Sequence, residues 1–328
     1  MRSPTLFVEI ERFPTQGAFT ISRGAKHHVD VVTVRLKRGA HEGRGEGTAI
    51  YYRGDSAEVA AQQVLALHDD VAGGMTKADV QDALPAGAAR NALDAAFWDL
   101  EAKESGTPVW RTIGLPKPQP LLTAYTISTG EPEVMEAAAR KAANRELLKV
   151  KLAGEGDLER VDAVRRGAPH ARLICDANEA WTGFDVAAMA TELLPYRVEL
   201  IEQPFPAGED AQLDHVRSPI PLCADESLHD LESLDACLGR YDFINIKLDK
   251  SGGLTEALQL VEGARAAGIG IMTGCMLSTS LGIAPAFFAA MNGQYADLDG
   301  PLLLSKDRAD PLRFSGSDVF PPERALWG

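Results

Sequence analysis

The chain has 328 residues, enough for one barrel-sized domain and a smaller companion whose cores need no covalent staples. Its net charge of −14 argues against a nucleic-acid partner or an anionic membrane surface, since either calls for a basic face. The four cysteines, Cys175, Cys223, Cys237 and Cys275, show no C-x-x-C spacing and read as reduced thiols, and no window approaches the roughly 20 apolar residues of a membrane span, so the expected location is the cytoplasm.

Residues 5–52 alternate apolar and polar side chains in TLFVEIERF, HHVDVVTVRL and HEGRGEGTAIYY, which predicts an antiparallel meander. Gly43, Gly45 and Gly47 match a phosphate loop only weakly, because no helix follows closely, and they read as turn and bulge residues. Ala89, Ala92, Leu93, Ala96, Phe97 and Leu100 mark one face of a helix over 88–103, stopped by Gly106 and Pro108. These segments make residues 1–115 a small N-terminal α+β domain, and the tail 301–328, which shows no further repeat, is expected to pack back on it.

From residue 116 to 300 a short apolar run, a turn and an alanine-rich helix recur roughly every 22 to 26 residues, the rhythm of a parallel α/β barrel rather than an open sheet. The predicted strands centre near Tyr125, Val150, Cys175, Ile201, Cys223, Ile246, Met272 and Ala296. Charged residues end one strand after another: Lys149 and Lys151 on the second, Asp176 on the third, Glu202 on the fourth, Asp225 on the fifth and Lys247 on the sixth. Buried strands do not carry ionised groups without partners, so core packing does not account for the series. The side-chain period of two turns all of them inward, at the carboxyl ends of the strands where barrels of this kind hold their sites. Three carboxylates converging on one point form the all-oxygen, partly hydrated environment that suits Mg²⁺, and Lys151 and Lys247 face each other across it as candidate bases.

The motifs K-V-K, C-D-A-N, I-E-Q-P, A-D-E-S and N-I-K-L-D-K-S-G-G, in this order and spacing, resemble the enolase superfamily in its muconate lactonizing enzyme-like branch. The resemblance spans essentially the whole chain. It implies a modified TIM barrel, (β/α)7β, under an α+β capping domain, with Mg²⁺ on Asp176, Glu202 and Asp225 and with Lys151 and Lys247 as acid and base. Lysine bases paired with Mg²⁺ are an established arrangement in enolase-superfamily sites. Within the branch, Asp297-Leu298-Asp299, the segment L-P-A-G-A-A-R-N-A-L-D and the loop G-C-M-L-S-T-S are similar to dipeptide epimerases, in particular those acting on L-Ala-D/L-Glu in murein peptide metabolism.

That resemblance implies a small dipeptide substrate, with Asp297 and Asp299, which share parity on the predicted eighth strand, taking its ammonium group. Arg23 stands where some of these enzymes reach a glutamate side chain, Thr126 and Ser128 are candidate carboxylate contacts at the end of strand one, and Lys149 is grouped with the substrate-binding positions. Relatives often carry an acidic residue where this chain has Ser278, which disfavours a cationic side chain on the substrate. The neighbouring activities are N-acylamino acid racemisation and o-succinylbenzoate synthesis on the same barrel. More distant readings are a Schiff-base aldolase using Lys247, which leaves the carboxylates unexplained, and a non-catalytic dipeptide-binding protein. Assembly into a homo-oligomer is left open by the sequence.

Overall fold

The structure is a computed structural model that describes residues 3–21 and 24–328. Three antiparallel strands, β1 (Thr5–Ile21), β2 (Gly24–Arg38) and β3 (His41–Thr48), form the first sheet in the order β1-β2-β3. Helices α1 (Ala57–Ala66), α2 (His68–Gly73), α3 (Lys77–Ala83) and α4 (Ala88–Ser105) follow. Helix α1 begins where the Ser56 side chain accepts from the Val59 amide, and α3 where Thr76 and Asp79 cap each other reciprocally.

The three glycines of H-E-G-R-G-E-G serve helix packing rather than turns. They lie inside β3, in register with β2, and their missing side chains let the strand rest on the α4 backbone. A Cβ at Gly43 would fall 2.2 Å from the Ala96 carbonyl oxygen, one at Gly45 2.0 Å from that of Ala92, and one at Gly47 2.2 Å from that of Ala88. Those contacts and the alanines of α4 make this layer thin, and Val32, Val34, Leu36, Leu93 and Phe97 fill the core around it.

After the short helix α5 (Val109–Thr112) and strand β4 (Leu121–Leu122), eight strands form one parallel sheet. They are β5 (Tyr125–Ile127), β6 (Leu147–Lys151), β7 (Arg172–Asp176), β8 (Val198–Glu202), β9 (Leu222–Ala224), β10 (Phe243–Lys247), β11 (Gly270–Gly274) and β12 (Tyr295–Ala296). The sheet curls until its ends meet: the Ala124 amide donates to the Ala296 carbonyl at 2.8 Å, and the Leu298 amide to Thr123 Oγ1 at 2.8 Å. Helices α6 (Pro132–Lys141), α7 (Asp157–Gly167), α8 (Val186–Leu193), α9 (Leu231–Cys237), α10 (Leu248–Ser251), α11 (Leu254–Ala267) and α12 (Ser280–Ala290) run along the barrel segment. Between β8 and β9 the helix shrinks to one 3-10 turn, Asp210–Leu213.

Strand parity divides the barrel into two cores. Leu147, Ile174, Leu200, Cys223 and Met272 pack inside it, whereas Leu148, Val150, Cys175 and Ile201 belong to the outer layer against the helices. Two positions above the inner set, the same parity delivers Lys149, Asp176, Glu202, Asp225 and Gly274.

The tail contacts both parts of the molecule instead of folding back on one. Strands β13 (Phe314–Ser315) and β14 (Asp318–Val319) form a hairpin on β4, while the Trp327 indole donates to the Ala95 carbonyl and Arg308 pairs with Glu11 and Glu46. Glu46 in turn accepts from the Thr279 amide at 2.8 Å, which pins the start of α12 to the capping sheet.

Candidate active site

The ends of β7, β8 and β9 hold Asp176, Glu202 and Asp225 so that one carboxylate oxygen from each lies within 4.8 Å of the others, and all three side chains are buried. The chain turns sharply just beyond these ends. Asn178 and Gln203 take φ of 42° and 36°, a left-handed conformation that L-residues adopt at a cost of order 1–3 kcal/mol. The turns place hydrogen bonds where the carboxylates need them. The Asn178 amide donates to Asp176 Oδ1 at 2.9 Å, and Gln203 Oε1 accepts from the Asp225 amide at 2.8 Å, so the end of β8 fixes the end of β9. From β10, Asn245 Nδ2 donates to Glu202 Oε1 at 2.8 Å.

Four lysines surround the cluster. Lys151 Nζ lies 2.6 Å from Asp176 Oδ2 and Lys247 Nζ 2.6 Å from Asp225 Oδ2. Lys250, at the end of α10, meets Asp225 Oδ1 at 2.6 Å. Lys149 sits below the cleft with its side chain 1% exposed, 2.6 Å from Glu202, 2.9 Å from Asp297 and 3.1 Å from Asp176.

Burial by itself would raise Asp176 and Asp225, but the neighbouring ammonium groups outweigh it: Lys151 and Lys149 hold Asp176 below the usual carboxylate range, and Lys247 and Lys250 do the same for Asp225. Glu202 moves the other way, to about 7, because burial and the adjacent Asp176 charge exceed what Lys149 returns. Burial would lower Lys149 and Lys247, yet both are raised, Lys149 chiefly by Asp297 and Glu202 and Lys247 by Asp225.

This donor set fits a hard divalent cation. All candidate ligands are carboxylate oxygens, and among the described residues Glu202 Oε2 is buried without a well-aligned hydrogen-bond donor although the Lys149 ammonium stands 2.6 Å away. Asp176, Glu202 and Asp225 would hold Mg²⁺, with Asn245 and Gln203 orienting them.

Above the carboxylates lies a cleft enclosing about 70 Å³. Lys151, Lys247 and Asp225 form part of its floor, Cys275, Met276 and Leu277 one wall, and Phe19, Lys26, Tyr51 and Tyr52 of the capping domain hang over it. Asp297 and Asp299 lie beyond the last residue of β12, Ala296, rather than inside the strand, and both are buried. Asp299 accepts from the Thr126 amide at 2.6 Å, and burial together with Asp297 raises its carboxyl to about 7. Thr126 and Ser128 border an adjacent groove between β1 and α6, and Arg23 falls outside the described residues.

Two family models match the chain: Mandelate racemase / muconate lactonizing enzyme, N-terminal domain, over residues 4–114, and Enolase C-terminal domain-like over residues 133–324. The chain belongs to the enolase superfamily. The L-Ala-D/L-Glu epimerase of Escherichia coli strain K12 is 41% identical over 317 residues, covering 96% of this chain and 99% of that protein. An N-acetyl-D-glutamate racemase of a Pseudoalteromonas species is 43% identical over 276 residues, covering 84% of this chain and 87% of that protein. A crystal structure of an enolase family member from Agrobacterium tumefaciens with homology to dipeptide epimerases, holding sodium and L-Ala-L-Glu with an ordered loop, matches with a TM-score of 0.97 at 46% identity. That match covers 99% of this chain and 100% of the other.

The strand-end pattern in the sequence pointed to the three carboxylates that the fold brings together as candidate ligands. Several neighbours escaped sequence reasoning. Asn245 and Lys250 stand in the same N-I-K-L-D-K motif as Lys247, and Asn178 and Glu226 closely follow Asp176 and Asp225, so polar residues at buried positions beside a candidate ligand were the available signal. Lys26 and Phe19 carried none, because an alternating strand does not reveal which end overhangs a site.

Proposed function

We propose that this chain epimerises the second residue of a dipeptide by 1,1-proton transfer, with L-Ala-L-Glu and L-Ala-D-Glu as the substrate pair, in murein peptide metabolism. The observation that carries this reading is the pair Lys151 and Lys247, which enter one cleft from β6 and β10 with the carboxylate cluster between their strands. A proton α to a carboxylate is barely acidic, because its removal places a second negative charge beside the first. Bound Mg²⁺ supplies electrostatic stabilisation of that charge. One lysine, neutral, takes the α-proton, and the C–H electron pair passes into the substrate carboxylate as an enediolate. The other, protonated, returns a proton to the opposite face of the carbon, which inverts the centre with no net change in protons. The capping residues Phe19, Tyr51 and Tyr52 exclude water from the cleft.

Asp297 and Asp299 favour a free ammonium on the substrate. Asp297 Oδ2 stands 2.9 Å from Lys149, but its Oδ1 is buried and accepts no hydrogen bond among the described residues, which leaves one acceptor for a further cation.

A second reading, racemisation of an N-acylated glutamate, has a specific ground in the 43% identity to the N-acetyl-D-glutamate racemase. It gives Asp297 and Asp299 no substrate ammonium to hold, so that Lys149 alone would face this pair of carboxylates. Chiral chromatography after parallel incubation with L-Ala-L-Glu and N-acetyl-L-glutamate tests the choice. The dipeptide is expected to be the faster substrate by kcat/KM, and preferential racemisation of N-acetylglutamate would overturn the assignment.

A further inference from the structure

Two stretches of the chain far apart in sequence are built against each other. Residues 84–94, L-P-A-G-A-A-R-N-A-L-D, lead into helix α4 of the capping domain, and residues 245–253, N-I-K-L-D-K-S-G-G, run from β10 through α10. Arg90 donates to the Ser251 carbonyl at 2.7 Å, Asn91 Nδ2 donates to Asp249 Oδ1 at 2.8 Å, and Asp94 accepts from the Thr255 amide at 3.1 Å. The glycine pair makes this approach possible: a Cβ on Gly252 would stand 2.2 Å from Arg90 Nε, and one on Gly253 2.5 Å from Asp94 Oδ2.

The buried Asp249 side chain stands at the centre of this contact, because its Oδ1 also accepts from the Thr48 amide at 2.8 Å. Thr48 ends β3, three residues before Tyr51, and Asp249 follows Lys247 by two. One oxygen atom therefore ties the root of the loop over the cleft, and the buried Asn91 of α4, to the turn that follows the base. Helix α10 is a single turn of four residues, too short to hold its place through its own hydrogen bonds, so its side chains must fix it. Lys250 anchors it inward, on Asp225 Oδ1 at 2.6 Å and the Asn245 carbonyl at 3.3 Å. Asp249 anchors it outward, on the capping domain.

We propose that Asp249 is a positioning residue: through Thr48 and Asn91 it sets the end of β10 against the capping domain, and so holds Lys247 at the face of the substrate α-carbon opposite Lys151. This rests on the two-lysine epimerase reading above. Asp249 does not line the cleft, so it acts on the substrate through Lys247. Lys151 stands across the barrel on β6 and is fixed separately, by Asp176. A shift at the end of β10 therefore disables one half of the reaction and spares the other, and a misplacement of about 1 Å at a reacting group costs on the order of 100-fold. A role confined to the loop with Tyr51 and Tyr52 would instead affect both epimers alike.

The test follows initial rates of α-proton exchange by proton NMR in D₂O with Mg²⁺, separately from L-Ala-L-Glu and L-Ala-D-Glu. It compares wild type with Lys247→Ala, Asp249→Ala, Asp249→Asn and Asn91→Ala, with melting temperatures to confirm folding. Lys247→Ala identifies the epimer whose proton Lys247 takes. Asp249→Ala is expected to slow exchange from that epimer by roughly 10- to 100-fold, through kcat rather than KM, and to leave the other epimer near its wild-type rate. Asn91→Ala removes one donor from the capping side and should show the same asymmetry to a smaller degree; it carries the comparison if Asp249→Ala fails to fold. Asp249→Asn keeps an acceptor oxygen for both donors and should stay close to wild type on both epimers. Equal losses on the two epimers, no loss on either, a change confined to KM, or an Asp249→Asn as impaired as Asp249→Ala overturn the role of Asp249 while the epimerase reading stands. Wild-type enzyme that exchanges neither epimer overturns that reading and the proposal with it.

Discussion

Replacing Gly45 by alanine tests the way the cap is built. The added Cβ would stand 2.0 Å from the Ala92 carbonyl oxygen and 2.7 Å from the Ala96 amide nitrogen, both backbone atoms that no rotamer change can move. Bringing the first contact to the 3.4 Å where ordinary packing begins separates β3 from α4 by about 1.4 Å. A gap of roughly 0.5–1 Å already forfeits a quarter to a half of the dispersion energy at each contact, and overpacking of a tight core costs about 1–3 kcal/mol or more. We expect a loss near the upper end, about 3 kcal/mol, and a fall in melting temperature of about 5–10 °C. Because the chain leaving β3 leads directly into the loop with Tyr51 and Tyr52, KM should rise as well. Gly73→Ala is the control: its Cβ would meet nothing within 4 Å, and the change is expected to be neutral or mildly stabilising. Calorimetry on both variants decides the matter. A Gly45→Ala protein that melts with Gly73→Ala and binds substrate normally would refute the close strand–helix contact.

Lys151→Ala and Lys247→Ala should each lower epimerisation by roughly 10²–10⁴-fold while leaving exchange of the α-proton from one epimer only, the one its surviving lysine faces. Retention of the parent epimerisation rate by both variants would dispose of the two-base scheme. Asn245→Ala removes the donor to Glu202 Oε1 and should weaken Mg²⁺ binding, measured by titration calorimetry, by roughly 10- to 100-fold; unchanged affinity would mean that Glu202 needs no such support. Burial raises Asp94 of α4, which accepts from the Thr255 hydroxyl of α11, to about 6. Its folded-state value lies above its unfolded one, so its contribution to stability is full below about pH 4 and is lost as pH rises through about 6. Relative to Asp94→Asn, wild type should therefore lose stability between those values by a few kcal/mol, and a difference that is flat or grows with pH contradicts this assignment.

The carboxylates and the two opposing lysines were legible because burial and charge conflict at one position after another, and because strand parity assigns each of them a side. The barrel followed from the regular spacing of strand and helix. Other features depend on information that local pattern lacks. A glycine that lets a strand approach a helix looks, in sequence, like one that permits a turn, so Gly43, Gly45 and Gly47 were misread. Asp297 and Asp299 resembled strand residues by alternation, yet β12 ends at Ala296 and the chain enters a 3-10 turn after Asp299. The tail gave no rhythm because its role is tertiary: Arg308 and Trp327 reach the capping domain, while β13 and β14 extend β4. Lys26 became visible only when the hairpin register set it opposite Phe19 over the cleft.

The central claim is proton exchange at one α-carbon, assisted by a metal ion held on Asp176, Glu202 and Asp225. Proton NMR of L-Ala-L-Glu with the enzyme and Mg²⁺ in D₂O, followed at the glutamate α-proton, tests it most directly. Loss of that signal with appearance of the L,D diastereomer, abolished by EDTA and restored by Mg²⁺, is the predicted result. An α-proton signal that persists, or exchange indifferent to EDTA, would contradict the account.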